Sequence, residues 1–173
     1  MASGATHNAV TLATATGLST ALMAYTDTSF QSVVLFAAGC IAGIWLTPDL
    51  DQEGYNRIEN KMRKSKNPFI GIFGNLYIIF WYPYAKLIPH RSWVSHMPVV
   101  GTIIRIAYLM LMTSMFLVVI GFIAPIAHDA IGPFWQLFAA VFEPMFPAFL
   151  GLVVADFMHW FMDRKWMRWA NIL

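Results

Sequence analysis

Residues 102–127, TIIRIAYLMLMTSMFLVVIGFIAPIA, contain a single charged side chain, Arg105. A helix needs roughly 20 mostly apolar residues to cross the hydrocarbon core of a bilayer, and this run meets that length with Arg105 near its start, where the side chain is expected to snorkel towards the interface. Three further runs share its character. Residues 8–25 are rich in Ala and Thr, residues 30–46 stop at Thr47-Pro48, and residues 134–155 contain Pro144 and Pro147, where a kink is expected. Composition agrees, with 58% hydrophobic and 12% charged residues, against about 25% charged in a soluble domain. The expected fold class is all-α, an integral membrane bundle of about four transmembrane helices that forms a single membrane domain over residues 1–173.

A fifth apolar run, residues 69–82, stops at Pro83 and is too short for a span. Trp81, Tyr82 and Tyr84 at its end are residue types favoured at headgroup level. Residues 69–88 are therefore read as an interfacial or re-entrant helix.

Four crossings put the N-terminus, residues 48–101 and the C-terminus on one side. Arg57, Lys61, Arg63, Lys64, Lys66, Lys86, Arg91, Arg105, Arg164, Lys165 and Arg168 all fall there, and the loops around Asp27 and around His128-Asp129 carry no basic residue. Lys and Arg mark the cytoplasmic face, so both termini are expected in the cytoplasm. A formal charge of +2 gives no reason to expect nucleic acid as a partner. Membrane lipids are the expected surroundings, with a larger membrane complex or a homo-oligomer as further partners. MASGATHNAV has no basic residue ahead of the first apolar run, which argues against a cleaved signal, and Cys40 reads as a small buried filler.

This topology gathers chemistry at one face. His7 starts the first span, Asp49 and Asp51 follow the second, His90 and His96 precede the third, and Asp156 and His159 close the fourth. In an extended stretch Asp49 and Asp51 would point to the same side. His90 and His96, bracketed by Pro89 and Pro98, suit an irregular loop that aims both inward. Asp156 and His159 share a helical face, which Asp163 continues. Imidazole with carboxylate suits zinc, manganese or iron. Seven candidates exceed the usual four ligands of one zinc, so the expectation is a divalent transition metal, zinc foremost, as one ion with orienting partners or as two ions with bridging carboxylates. Two ions are slightly favoured. Arg91 and Ser92 suit an anionic substrate, or Arg91 pairs with Asp49 or Asp51. Ionisable groups at helix ends facing a bundle are usually paired or functional, and His128 stands alone on the opposite face.

Read in order, His7, PDLDQ at 48–52, YAKLIPHRSWVSHMPVVGT at 84–102 and DFMHW at 156–160 resemble a family of uncharacterised metal-binding membrane proteins of bacteria, particularly cyanobacteria. That family looks related to the LexA-regulated inner-membrane hydrolases of metal-dependent type. The resemblance implies metal binding with hydrolysis, and a bacterial inner or thylakoid-type membrane. It carries His7, Asp49, Asp51, His90, Arg91, His96 and Asp156 as site positions, while His159 rests on helical spacing. The leading expectation is a metal-dependent hydrolase at the cytoplasmic interface acting on a lipid or phosphoester, with Asp51 as general base and Arg91 on the substrate. The alternative is a non-catalytic metal-bound accessory subunit of a larger membrane complex. A transporter is disfavoured because no candidate ligand lies mid-membrane.

Overall fold

The computed structural model describes the backbone of residues 4–52, 57–90, 92–124 and 129–170, and side chains over 5–52, 60–90, 92–124 and 129–163. Arg91, Pro125 and His128, and the side chains of Arg57, Arg164, Lys165 and Arg168, lie outside the described residues.

The described chain is all-helical. It contains α1 (Gly4–Tyr25), α2 (Phe30–Ala42), a 3₁₀ turn η1 (Pro48–Asp51), α3 (Arg57–Arg63), α4 (Pro68–Leu87), α5 (Trp93–His96), α6 (Pro98–Gly121), α7 (Ile131–Phe142) and α8 (Phe146–Ala170). Local chemistry sets the starts. Ser29 caps α2 by accepting from the Ser32 amide, and Asn67 caps α4 by accepting from the Phe69 amide. Pro68 and Pro98 occupy first turns, where the missing amide is not needed.

Helices α1, α2 and α6 pack around α8, whose most extensive partner is α2. Small residues bring those two backbones together. A Cβ on Gly39 would sit 1.9 Å from the Ala148 carbonyl oxygen, one on Gly151 would sit 2.1 Å from that of Phe36, and one on Gly43 would sit 2.5 Å from Cβ of Ala155. Gly39 of α2 and Gly43 just past its end thus face Ala148, Gly151 and Ala155 of α8, a spacing of small residues that lets helix backbones approach closely.

The C-terminal half of α4 is held by aromatics. Trp81 and Tyr84 are buried against Leu50 of η1 and Tyr108 of α6. The Tyr77 and Tyr108 hydroxyls donate to the Trp45 and Phe80 carbonyls at 2.5 Å each. This clamp fixes η1 between α4 and α6. The start of α1, the turn after α2, the start of α6 and the later turns of α8 meet at one end of the bundle.

The helices differ from the expected spans in ways with local causes. The fourth run is two helices, α7 and α8, meeting at 81°, a sharper break than a kink. Pro144 and Pro147 lack amide donors, so neither can bond to the carbonyl four residues earlier and the helical ladder is interrupted twice across the junction. Within the second run, α2 ends at Ala42 and turns follow to Thr47. Among the described residues only α6 is by itself long and apolar enough to cross a bilayer, and α7 with α8 would make a second such span.

Candidate metal centre

Thr47 and Pro48 turn the chain into η1 rather than an extended strand: Thr47 accepts from the Asp49 amide, and Pro48 takes the first position. A 3₁₀ turn has three residues per turn, so residues two apart diverge. Asp49 and Asp51 accordingly face different partners, contrary to the expectation from an extended stretch.

Asp49 meets α8. Nε2 of His159 lies 3.5 Å from Oδ1 of Asp49 and 3.5 Å from Oδ2 of Asp163, beyond the usual range of an N–H···O bond. His7 of α1 completes this side, its Nε2 3.4 Å from the other Asp163 oxygen and its ring stacked on that of His159. The His96 ring at the end of α5 lies 6.0 Å from that of His159. Two sets of donors follow, His7 with His159 and Asp163, and Asp49 with His96 and His159, each having its ligand atoms within 4.8 Å of one another. His159 belongs to both.

Hydrogen bonding leaves imidazole nitrogens of this cluster unused. Ser95 Oγ donates to Asp51 at 2.6 Å, with the Ser92 carbonyl as a second acceptor. Its proton thus points away from His96. Nδ1 of His96, 2.8 Å from the same oxygen, must then be the donor. That tautomer leaves Nε2 of His96 as a bare lone pair, buried and without a partner. Nδ1 of His7 and Nε2 of His159 are also buried without a hydrogen-bond partner, while Nδ1 of His159 faces Thr47 Oγ1 at 3.5 Å. Buried polar atoms are nearly always satisfied, and three imidazoles with unused nitrogens beside two carboxylates form a donor set that fits a transition metal.

Charge states suit that role. Burial alone would raise the Asp49 carboxyl, but the His159 imidazole beside it, with His7 and His96 further off, holds it below its ordinary value. Burial holds the His96 imidazole below its ordinary value despite the Asp51 carboxylate. Carboxylate and neutral imidazole are the forms that ligate.

Asp51 stands one layer back. Its side chain is 0% exposed, with Oδ1 2.7 Å from Nδ1 of His90 and Oδ2 bound by Ser95 and 3.5 Å from Nδ1 of His96. A carboxylate behind a ligating histidine fixes its tautomer and orientation. His90 is 37% exposed on its side chain and lies outside both donor sets. Asp156 is also set back. Its Oδ2 accepts from the Arg105 guanidinium and the Thr102 hydroxyl, all three side chains being buried. Arg105 also donates to the Ser95 carbonyl at 3.1 Å. Far from snorkelling, Arg105 ties α5, α6 and α8 together beneath the cluster.

Of the residues expected at the site, the structure thus brings His7, Asp49, His96 and His159 together, with Asp51 and His90 adjoining through His96. Asp156 pairs with Arg105. Ser92 caps α5 by accepting from the Ser95 amide at 3.3 Å. Sequence reasoning did not assign ligand or orienting roles to Asp163, Ser95, Thr47, Thr102 and Arg105. Only Asp163 carried a signal, one turn beyond His159.

Fold and site together define, among the described residues, an all-α protein with a His/Asp cluster at the junction of four helical elements that could hold a metal ion. The chain belongs to the family described as uncharacterized metal-binding protein (DUF2227), whose pattern matches residues 2–172. No curated protein and no solved structure matches it.

Proposed function

We propose that the chain is an integral membrane protein that binds one divalent transition metal at the cytoplasmic end of its bundle and hydrolyses a phosphoester or acyl bond of a lipid there. The observation that carries the metal reading is that both donor sets include His159, whose Nε2 lies 3.5 Å from Asp49 of one set and 3.5 Å from Asp163 of the other. A neutral imidazole nitrogen has one lone pair, so two sets that share it surround one ion. His7, His96, Asp49 and Asp163 compete for the remaining positions. Zinc is the favoured ion, with manganese or iron as alternatives.

With the three imidazoles as ligands, a tetrahedral ion would keep its fourth position for water and leave Asp49 and Asp163 within reach as proton acceptors. Asp49 and Asp163 are the more open members, with side chains 25% and 17% exposed, and they form the mouth of the cluster. A bound ion would lower the pKa of a water and polarise the scissile group. Asp51, fully buried and hydrogen-bonded, is better placed to orient His96 than to take the proton, so the base role passes to Asp49 or Asp163.

Membrane embedding is supported by exposure. Only 17% of the most apolar stretch of α6 is buried, whereas a core helix of a soluble protein is mostly covered. Leu111, Met115, Phe116, Val119 and Phe122 stand open on or just beyond it, an apolar surface that hydrocarbon chains would cover. Side chains presented this broadly also favour a second reading, a non-catalytic metal-bound subunit packed laterally in a larger membrane complex or homo-oligomer.

Purified protein, analysed for bound metal and assayed on lipid phosphoesters and acyl lipids with and without chelator, tests the reading. One ion per chain and chelator-sensitive turnover lost in His159→Ala is the expected result. Metal-loaded protein inert on both lipid classes would overturn hydrolysis and leave the accessory-subunit reading. Cysteines at Asn60 and Asp129 should label from opposite faces, and labelling from one face would overturn the topology.

A further inference from the structure

The N-terminal half of α4 leaves the bundle with α3 as its neighbour. Gly74 lets the two approach: a Cβ there would lie 2.7 Å from that of Met62 and 2.9 Å from the Arg63 amide nitrogen. Along the opposite side, Phe69, Ile72, Phe73, Leu76 and Ile79 follow the i, i+3, i+4, i+7, i+10 pattern of one helical face, and each is at least 58% exposed. Lys61, Lys64 and Lys66 are exposed on α3 and the turn that joins it to α4.

We infer that the α3–α4 hairpin is an anionic-lipid docking element, the apolar face of α4 lying among acyl chains while these lysines meet headgroup phosphates. A continuous apolar helical stripe beside a cluster of lysines is the pattern of a helix lying in the membrane interface. Anionic headgroups are specified by the charge, because each lysine near such a surface strengthens attachment and the gain falls off within a Debye length. Tyr82, exposed one turn past Ile79, and Lys86, whose ammonium lies 5.9 Å over the Tyr82 ring, extend the amphipathic edge towards the bundle. The Trp81–Tyr84–Tyr108 clamp fixes the hairpin's base against η1, so the arm would bring anionic headgroups to the end of the bundle that carries Asp49. The inference does not depend on the metal reading.

A nitroxide at Phe73→Cys in the full chain, with the buried Cys40 replaced by Ser, reports the depth of this face by its accessibility to oxygen and to a water-soluble nickel complex. In vesicles of phosphatidylcholine with phosphatidylglycerol, the label should be shielded from nickel and open to oxygen. In phosphatidylcholine alone, or after Lys61→Gln, Lys64→Gln and Lys66→Gln together, the preference for the shielded state should fall on the order of 100-fold at low salt. A label accessible to nickel in both vesicles overturns the proposal, as does equal shielding in both. Spin–spin broadening that grows with protein density would assign the face to a second copy and overturn it too.

Discussion

The imidazole rings of His7 and His159 are stacked, with centroids 4.1 Å apart and planes 22° from parallel. This contact joins the start of the first helix to the last, and it places two imidazole rings beside one carboxylate, Asp163. The stack makes His159 the hub, since it alone also reaches Asp49 and His96. His159→Ala should therefore reduce bound metal to background. His7→Ala, which leaves Asp49, His96 and His159 in place, should retain metal at reduced affinity. Metal content after dialysis against a weak chelator separates the two, and equal loss in both would show that His159 has no greater part in the centre than His7.

Asp51 has a different role from Asp49, although two residues separate them. Asp51→Asn keeps the volume but removes the charge that orients Ser95, His96 and His90. Outer-shell partners of ligating histidines typically contribute 10–100-fold in metal affinity, so a loss of about that size is expected with stoichiometry unchanged. Competition titration with a chromophoric chelator measures it. Complete loss of binding would make Asp51 a ligand, and an unchanged affinity would remove it from the site.

Much of this centre was legible in the chain because the relevant groups sit in polar breaks between apolar runs. Asp49 lies in TPDLDQ, His96 in HRSWVSH, and His159 and Asp163 are one helical turn apart. What was not legible was layering. Whether Asp49 or Asp51 faces the metal depends on η1 being a 3₁₀ turn, which Thr47 and Pro48 set together, and the sequence equally allowed an extended stretch. Arg105 was opaque for another reason. An arginine near the end of an apolar run can reach water or an internal acid, and the acid here is 51 residues away in the chain. The all-helical class was readable from run lengths alone, whereas the 81° break between α7 and α8 is sharper than the kink that Pro144 and Pro147 announce in the sequence.

Arg105 and Asp156 form a buried ion pair, each side chain 2% exposed, with Thr102 on the same carboxylate oxygen. Removing one partner strands the other charge, at a cost of about 3–5 kcal/mol, whereas replacing both with apolar groups is often neutral. Arg105→Met should therefore unfold at markedly lower temperature than the parent protein in the same detergent, and Arg105→Met with Asp156→Leu should recover most of the loss. Because Arg105 also donates to the Ser95 carbonyl, the double variant should still bind metal more weakly than the parent. Recovery of stability together with full metal affinity would show that the pair holds the fold and does not position the site.

The α2–α8 contact offers a test of how the ligands on η1 and α8 are held in register. Gly39 and Gly151 each face backbone on the other helix, so even a methyl group at Gly39 would have to displace the Ala148 carbonyl. Overpacking a tight contact costs about 1–3 kcal/mol, and the strain here falls on backbone and cannot be relieved by a rotamer change. Gly39→Ala should lower the thermal midpoint and, by shifting α2 and the η1 turn that follows it, weaken metal binding without touching any ligand. Gly17→Ala, on the exposed side of α1 with open space around its Cβ position, serves as the matched control: it should raise the midpoint slightly, since Ala is favoured over Gly in a helix interior by about 0.5–1 kcal/mol, and leave metal binding unchanged. If Gly39→Ala lost stability while metal affinity stayed level, the register of α2 on α8 would not control the distance between Asp49 and His159.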